Sequence, residues 1–275
     1  MPYSQARYWM LAVIGILIAG FWPSYFAVTT TVPWQFHAHG VAASLWVLTV
    51  TAQSWTAHSK RQLPLHRAVG KASLFLFPFL TGGLAAIISR QGMDYVANDP
   101  VNLLDGPGFL TGTMVALAAY VVVYYRALKY RRKVWIHSGY MLATPLILFE
   151  SPFGRLVNMF VPGFIIRGPA DFHLIMSAIL WSMVLELAII AAIWLKYREK
   201  ATPFLVTGGF IVAQMVVMGW MGDLAILKPL LTMIGNAPSA AVVLTGFAIG
   251  AGTSWAGWQA GKRPVVPMAA APQTA

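Results

Sequence analysis

No cysteine occurs in the 275 residues. That absence excludes disulfides, thiolate metal sites, iron–sulfur clusters, covalently attached haem and cysteine nucleophiles. Any bound metal must use histidine, carboxylate, methionine or backbone ligands. Charge is the second shortage: charged residues make up 10% of the chain, against about 25% in a soluble domain. Acids are scarcer still, eight against nineteen basic residues. There is no phosphate-binding glycine loop, no His-Glu-x-x-His zinc helix and no nucleophile elbow. The alternating polarity of a transmembrane barrel is also missing.

What is present is apolar: 58% of the residues are hydrophobic. They fall in almost uncharged runs of roughly 18 to 24 residues, each long enough to cross a hydrocarbon core of about 30 Å at 1.5 Å per residue. The expected fold is all-α, a polytopic helical membrane bundle occupying residues 1–263 as a single membrane domain. About eight transmembrane helices are predicted, over 8–28, 32–57, 69–89, 108–127, 134–149, 170–195, 203–221 and 239–259. Arg90 to Pro107 reads as the longest polar connection. The half-apolar stretch Glu150 to Pro169 reads as a short interfacial helix or re-entrant loop along the outer surface. The Pro/Ala-rich end, 264–275, reads as a disordered cytoplasmic tail.

Charge orients the bundle. Alternating spans put fifteen of the nineteen basic residues on one side, leaving Arg90, Arg155, Arg167 and Lys228 on the other. Basic loops stay in the cytoplasm, so both termini are expected inside, in a multi-pass protein of a bacterial inner membrane. The net charge of +11 then reflects topology and partnership with the lipid bilayer. Nucleic acid is not expected, because no basic patch interleaves with exposed aromatics.

Six histidines divide under this topology. His37, His39 and His173 fall at the outer ends of helices, with Asp171 and Glu150 on the same side. Three imidazoles plus carboxylates form the ligand set of zinc, copper or non-haem iron. Residues two apart on a helix point about 200° apart, so His37 and His39 share an ion only if the helix begins after them. The alternative for each ring is simple residence at the interface, half wet. Along the second helix His37, Ser44, Thr51 and His58 make one polar stripe, with His39, Trp46 and Gln53 beside it. Such stripes must face protein or water.

His58, His66 and His137 fall at the inner ends. His66-Arg67-x-x-Gly70 opening one helix, then Arg132 and His137-x-x-x-Met141 opening a later one, resembles a family of bacterial multi-span membrane proteins with a His-Arg-x-x-Gly helix start. More distantly the pattern is similar to b-type cytochrome membrane domains. That likeness covers Trp55 to Lys71 and Arg131 to Pro145, and it implies His66 and His137 as ligands of a b haem.

An acid deep in a bilayer costs about 2.5 to 3.5 kcal/mol on insertion scales and is a functional candidate by default. Glu186, two-thirds along the sixth predicted helix, shares a face with Ser182, Ala178 and Asp171. It is expected to bond to Gln214 or Gln53, or to serve a proton relay. The last helix carries Gly246-x-x-x-Gly250 and Gly257-x-x-x-Gly261, a close-contact pattern that offers a homodimer face. Three classes of function stay open: a haem- or metal-binding electron-transfer protein, a metal-dependent membrane enzyme, and a proton-linked transporter or accessory subunit, the last needing no cofactor.

Overall fold

The computed structural model describes residues 2–221 and 224–262. The predicted tail at 264–275 lies outside the described residues. The apolar runs form helices, and no strand occurs among the described residues. In chain order the helices are α1 (Ala6–Phe21), α2 (Trp34–Thr56), α3 (Leu63–Val96), α4 (Pro100–Lys129), α5 (Val134–Ala143), α6 (Glu150–Phe160), α7 (His173–Tyr197), α8 (Thr202–Gly219), α9 (Leu227–Asn236) and α10 (Ser239–Ala260).

Four segments are long and apolar enough to cross a membrane: Lys60–Val96, Pro100–Lys129, His173–Gly219 and Ser239–Ala260. The third of these contains two helices, α7 and α8, folded back on each other at the charged turn Arg198–Ala201. The outside of the bundle is greasy. Trp9 is 69% exposed, Phe75 76%, Trp181 62% and Trp255 68%. Water penalises so much bare aromatic surface, whereas hydrocarbon accepts it.

Side-chain contacts set the register of the antiparallel helices. Gln53 bonds the His66 carbonyl and Gln35 reaches Met93, so α2 and α3 run opposite ways. Ser73 pairs with Tyr124 and Gln91 with Thr113, which does the same for α3 and α4. One end of the bundle, here the basic end, gathers residues 58–71, 126–137, 196–203 and 261. At that end the Tyr3 hydroxyl donates to the Lys200 carbonyl at 2.7 Å. Burial, with Tyr197 alongside, pushes this phenol up to about 12.

Three expectations need correction. The predicted connection 90–107 is helical except for Ala97, Asn98 and Asp99. Asn98 takes a left-handed φ of 60° to end α3, and the Asp99 carboxylate caps α4 by accepting from the Val101 and Asn102 amides at 3.1 and 3.0 Å. A chain-breaking sequence is here a stop followed at once by a start. The short helix α9, which was not predicted, docks on α3 where Gly235 meets Gly92 backbone to backbone.

The third correction carries the functional site. The predicted helix 134–149 stops as an α-helix at Ala143, then continues as a 3-10 turn, Thr144–Leu146, before α6 begins at Glu150. Pro145 supplies no amide to the ladder, and the Ile147, Phe149 and Ser151 amides make long bonds of 3.3 to 3.4 Å to carbonyls three residues back. α5 packs on α4 and α8, whereas α6 packs on α1 and α7. The two pieces are therefore successive halves of one broken rod, with Glu150 at the break. Glu150 is buried at 4% exposure.

The glycines of α10 are used inside this chain. A Cβ on Gly250 would lie 2.7 Å from the Pro78 Cα and against the Thr81 hydroxyl, and Gly257 faces Leu128. Gly252 meets nothing within 4 Å. Gly250→Leu should therefore destabilise the protein by about 1–3 kcal/mol through forced overpacking, while Gly252→Leu leaves it unchanged. Unfolding of the two variants in detergent, side by side, checks this.

Candidate functional site

A cavity of about 720 Å³ lies between α1, α2, α3, α4, α6, α7 and α8. Its size falls within the 300–1,000 Å³ typical of small-molecule sites. It runs from Arg90, Asp94 and Asn102 at the end remote from the basic clusters down to Trp46 and Tyr120 in the middle of the bundle. Most of its wall is hydrocarbon. The polar exceptions include His39, Tyr120, Glu150, Arg155 and Gln214, each from a different helix except the α6 pair.

The break in the α5–α6 rod forms the floor. Its freed backbone would be costly in an apolar setting unless protein groups surround it. The Trp46 indole N–H donates to Thr144 Oγ1 at 3.0 Å, and the Thr144 hydroxyl donates to the Met141 carbonyl at 2.8 Å. Trp46 is in turn held by Phe77 and Tyr124, which stack on each other with centroids 4.1 Å apart. This aromatic block comes from α2, α3 and α4 and fixes the break from one side.

From the other side comes Glu186. It lies on the buried face of α7 with Ala178 and Ser182, so the predicted stripe holds over that stretch. The hydrogen bonds expected for it do not form. Gln53 is far away at the basic end on the His66 carbonyl, and Gln214 Oε1 and both Glu186 carboxyl oxygens lack any partner. Glu186 instead faces Glu150: the two acids feel each other's charge, and the Glu150 amide approaches the Glu186 carboxyl without reaching hydrogen-bond geometry. Tyr120 is within electrostatic reach of both. Glu150 Oε2 is also unpartnered. Two buried acids thus sit beside the break, where the Ser151 and Phe153 amides are already bonded to the Leu148 and Phe149 carbonyls and Pro152 has no amide.

Arg155 stands one turn and a half further along α6. Its Nε donates to Ser24 Oγ at 3.2 Å, its Nη1 donates to the Ser151 carbonyl and hydroxyl at 2.8 and 2.9 Å, and its plane lies over Phe21. Glu150 influences it electrostatically from beyond ion-pair distance. Arg90, by contrast, is neutralised by Asp94 at 2.7 Å on its own helix.

The outer histidine set is not gathered. His37 Nδ1 pairs with the Tyr25 hydroxyl at 2.9 Å, exposed His173 with the Ala170 carbonyl at 3.0 Å, and Asp171 accepts from the Arg167 amide at 2.9 Å. Only His39 faces the cavity, with its Nδ1 buried and unpartnered. Among the described residues no group of three or more His, Asp or Glu side chains is placed to hold a metal ion.

His66 and His137 both lie at the basic end, on α3 and α5. His137 Nδ1–H donates to the Ala127 carbonyl at 2.9 Å. The Thr56 hydroxyl donates to the Ala52 carbonyl, leaving its oxygen to accept from His66 Nδ1–H at 3.3 Å. Both rings are thereby left with Nε2 as the free nitrogen. His58 is fixed likewise, through Nδ1 to the Ser54 carbonyl at 2.7 Å.

Sequence reasoning placed Arg155 on the outer side as a partner for acids such as Glu150 or for lipid headgroups, and it did not single out Tyr120 or the burial of Glu150. The available signal was Pro145 and Pro152 flanking Glu150 in an otherwise apolar run. If the Trp46–Thr144 bond fixes the break, Thr144→Val, which orphans a buried indole N–H, should cost about 1–3 kcal/mol. Trp46→Phe combined with Thr144→Val should cost less than the sum of the single changes. Strict additivity in a double-mutant cycle of unfolding free energies would show the bond to be incidental.

No family model, no curated protein and no solved structure matches this chain.

Proposed function

We propose that this integral membrane protein is a proton-linked carrier, crossing the bilayer eight times with both termini in the cytoplasm. The crossings are α1, α2, α3, α4, the broken α5–α6 rod, α7, α8 and α10. The observation that carries the reading is a largely apolar cavity ending on a broken helix at Glu150, with the buried, unpartnered Glu186 behind it. Carriers commonly build their sites this way, near the midplane, from discontinuous helices whose half-helix amino ends face the ligand. Irregular backbone at that depth is tolerated where it lines a cavity.

Each buried acid has a part. A bare carboxylate in hydrocarbon, with no donor to satisfy it, is too costly to persist, and two side by side repel as well. The Glu150–Glu186 pair therefore exchanges protons as the cavity fills and empties, with Tyr120 and Gln214 as neighbouring hydrogen-bonding groups. Trp46 and Thr144 hold the floor in place.

Liposomes containing the protein and an entrapped pH dye test this. A panel of amphipathic acids, amines and sugars should contain a compound that drives proton movement with the unaltered protein. Glu186→Gln should abolish that movement and still bind the compound, seen as a raised unfolding temperature. Ligands that bind but never move protons, or full proton movement in Glu186→Gln, would contradict the carrier.

A second reading rests on a separate observation, His66 and His137 at the basic end with both Nε2 atoms free. Metal-bound imidazoles typically donate their other N–H to an oxygen acceptor, as both rings do here. His66 and His137 would hold a b haem through these nitrogens, and the haem would supply one-electron chemistry at the basic end. Protein from haem-replete cells should then show a Soret band with sharp α and β bands on reduction, and His66→Ala or His137→Ala should remove them. A spectrum without those bands rules this reading out.

A further inference from the structure

The cavity contains a cation that makes no ion pair among the described residues. Arg155 is permanently charged, since a guanidinium does not lose its proton in proteins. Every hydrogen bond it makes among the described residues goes to a neutral oxygen, of Ser24 or Ser151, and no carboxylate of the described residues lies within 4.0 Å. Its Nη2 has no protein partner among the described residues, although the side chain lines the cavity. Phe21 lies against the guanidinium at 4.7 Å and screens it from lipid. A charge braced by neutral groups and left open on one edge is arranged to receive an anion. A planar fork of N–H donors suits a carboxylate or phosphate best.

Beyond Arg155 the walls change character. Leu17, Leu80, Leu84, Ile175, Ile179 and Met218 line the body of the cavity. They offer no hydrogen bonds and favour hydrocarbon. Arg90, at the cavity mouth, does not compete for the anion because Asp94 neutralises it. The polar floor presents Glu150, which offers an anion no positive charge, so Arg155 is the group that draws it.

We infer that the cavity binds an amphiphile carrying one acidic oxyanion, carboxylate or phosphate, on an apolar body, with the anion on Arg155 and the body between α1, α3 and α7. This rests on the carrier reading only for its purpose, since it names the ligand of the same cavity.

The test uses the full chain in zwitterionic nanodiscs. Dodecanoate and dodecyl phosphate should raise the unfolding temperature in a saturable way, and dodecanol and dodecylamine should not. Arg155→Gln should remove that preference, weakening dodecanoate by about tenfold or more, the loss expected for a charge-assisted bond. Arg155→Lys should retain part of it. Ser24→Ala, which removes only one neutral brace, should keep the preference with somewhat lower affinity, so the claim is testable even if Arg155→Gln fails to accumulate. Equal stabilisation by dodecanol, or undiminished dodecanoate binding in Arg155→Gln, overturns the assignment. A parallel arm with phosphatidylglycerol identifies the source: stabilisation by it that Arg155→Gln removes keeps the acidic chemistry and assigns it to a bilayer lipid. Acid binding without proton movement would sink the carrier and leave this site standing. Proton movement driven by amines or sugars, with no acid binding, would do the reverse.

Discussion

A broken helix inside an apolar bundle has to be surrounded by protein, and the rest of this structure follows from that need. Between Ala143 and Glu150 the ladder degrades to long 3-10 contacts around Pro145. Lipid cannot satisfy what the break releases. The bundle therefore wraps it, with α4 and α8 against the first half and α1 and α7 against the second. Trp46 reaches in from α2 to bond Thr144, and Phe77 and Tyr124 pack around the indole. The break then brings Glu150 to the cavity floor, with Glu186 buried nearby on α7.

This arrangement divides the molecule by solidity. The half built from α2, α3, α4 and α10 is tightly knit, with Gly83 closely apposed to the His39 backbone and Gly246 and Gly250 to α3. The helices α1, α6 and α7 close the cavity against the face of α2, α3 and α4. Glu150, Arg155 and the orphaned His39 nitrogen all line that shared space.

Much of the architecture was legible in the sequence because lipid imposes simple rules. Charge-free runs became helices, and the basic residues of 60–71, 126–133 and 196–200 gather at one end, as their alternation required. The stripe Ala178-Ser182-Glu186 is buried as expected, since its polar members have nowhere else to go. The site was less legible, for specific reasons. A helix over 134–149 has 16 residues, or about 24 Å at 1.5 Å per residue, too short to cross a core of about 30 Å. Continued through the break to Phe160 the rod becomes long enough, and Glu150 moves from an end to the middle. Asp99-Pro100 reads locally as a turn, yet it is an N-cap with proline in the first helical turn. No pattern along the chain could say which histidines meet. His37, His39 and His173 share an end without sharing a site, and only His39 of the three lines the cavity.

The lack of cysteine, which excludes so much chemistry, also makes the central claim directly measurable. Single cysteines can be introduced into an otherwise thiol-free chain at Leu148, Glu150, Ser151, Arg155 and Asn158, all on the cavity wall, with Trp181 as a lipid-facing control. A membrane-impermeant thiol reagent applied from the outer side should label Asn158→Cys, Arg155→Cys, Ser151→Cys and Glu150→Cys with falling rates, and leave Trp181→Cys unlabelled. Labelling confined to Asn158→Cys, or reaching Glu150→Cys only from the cytoplasmic side, would mean that no open path leads to the break, and would contradict the account.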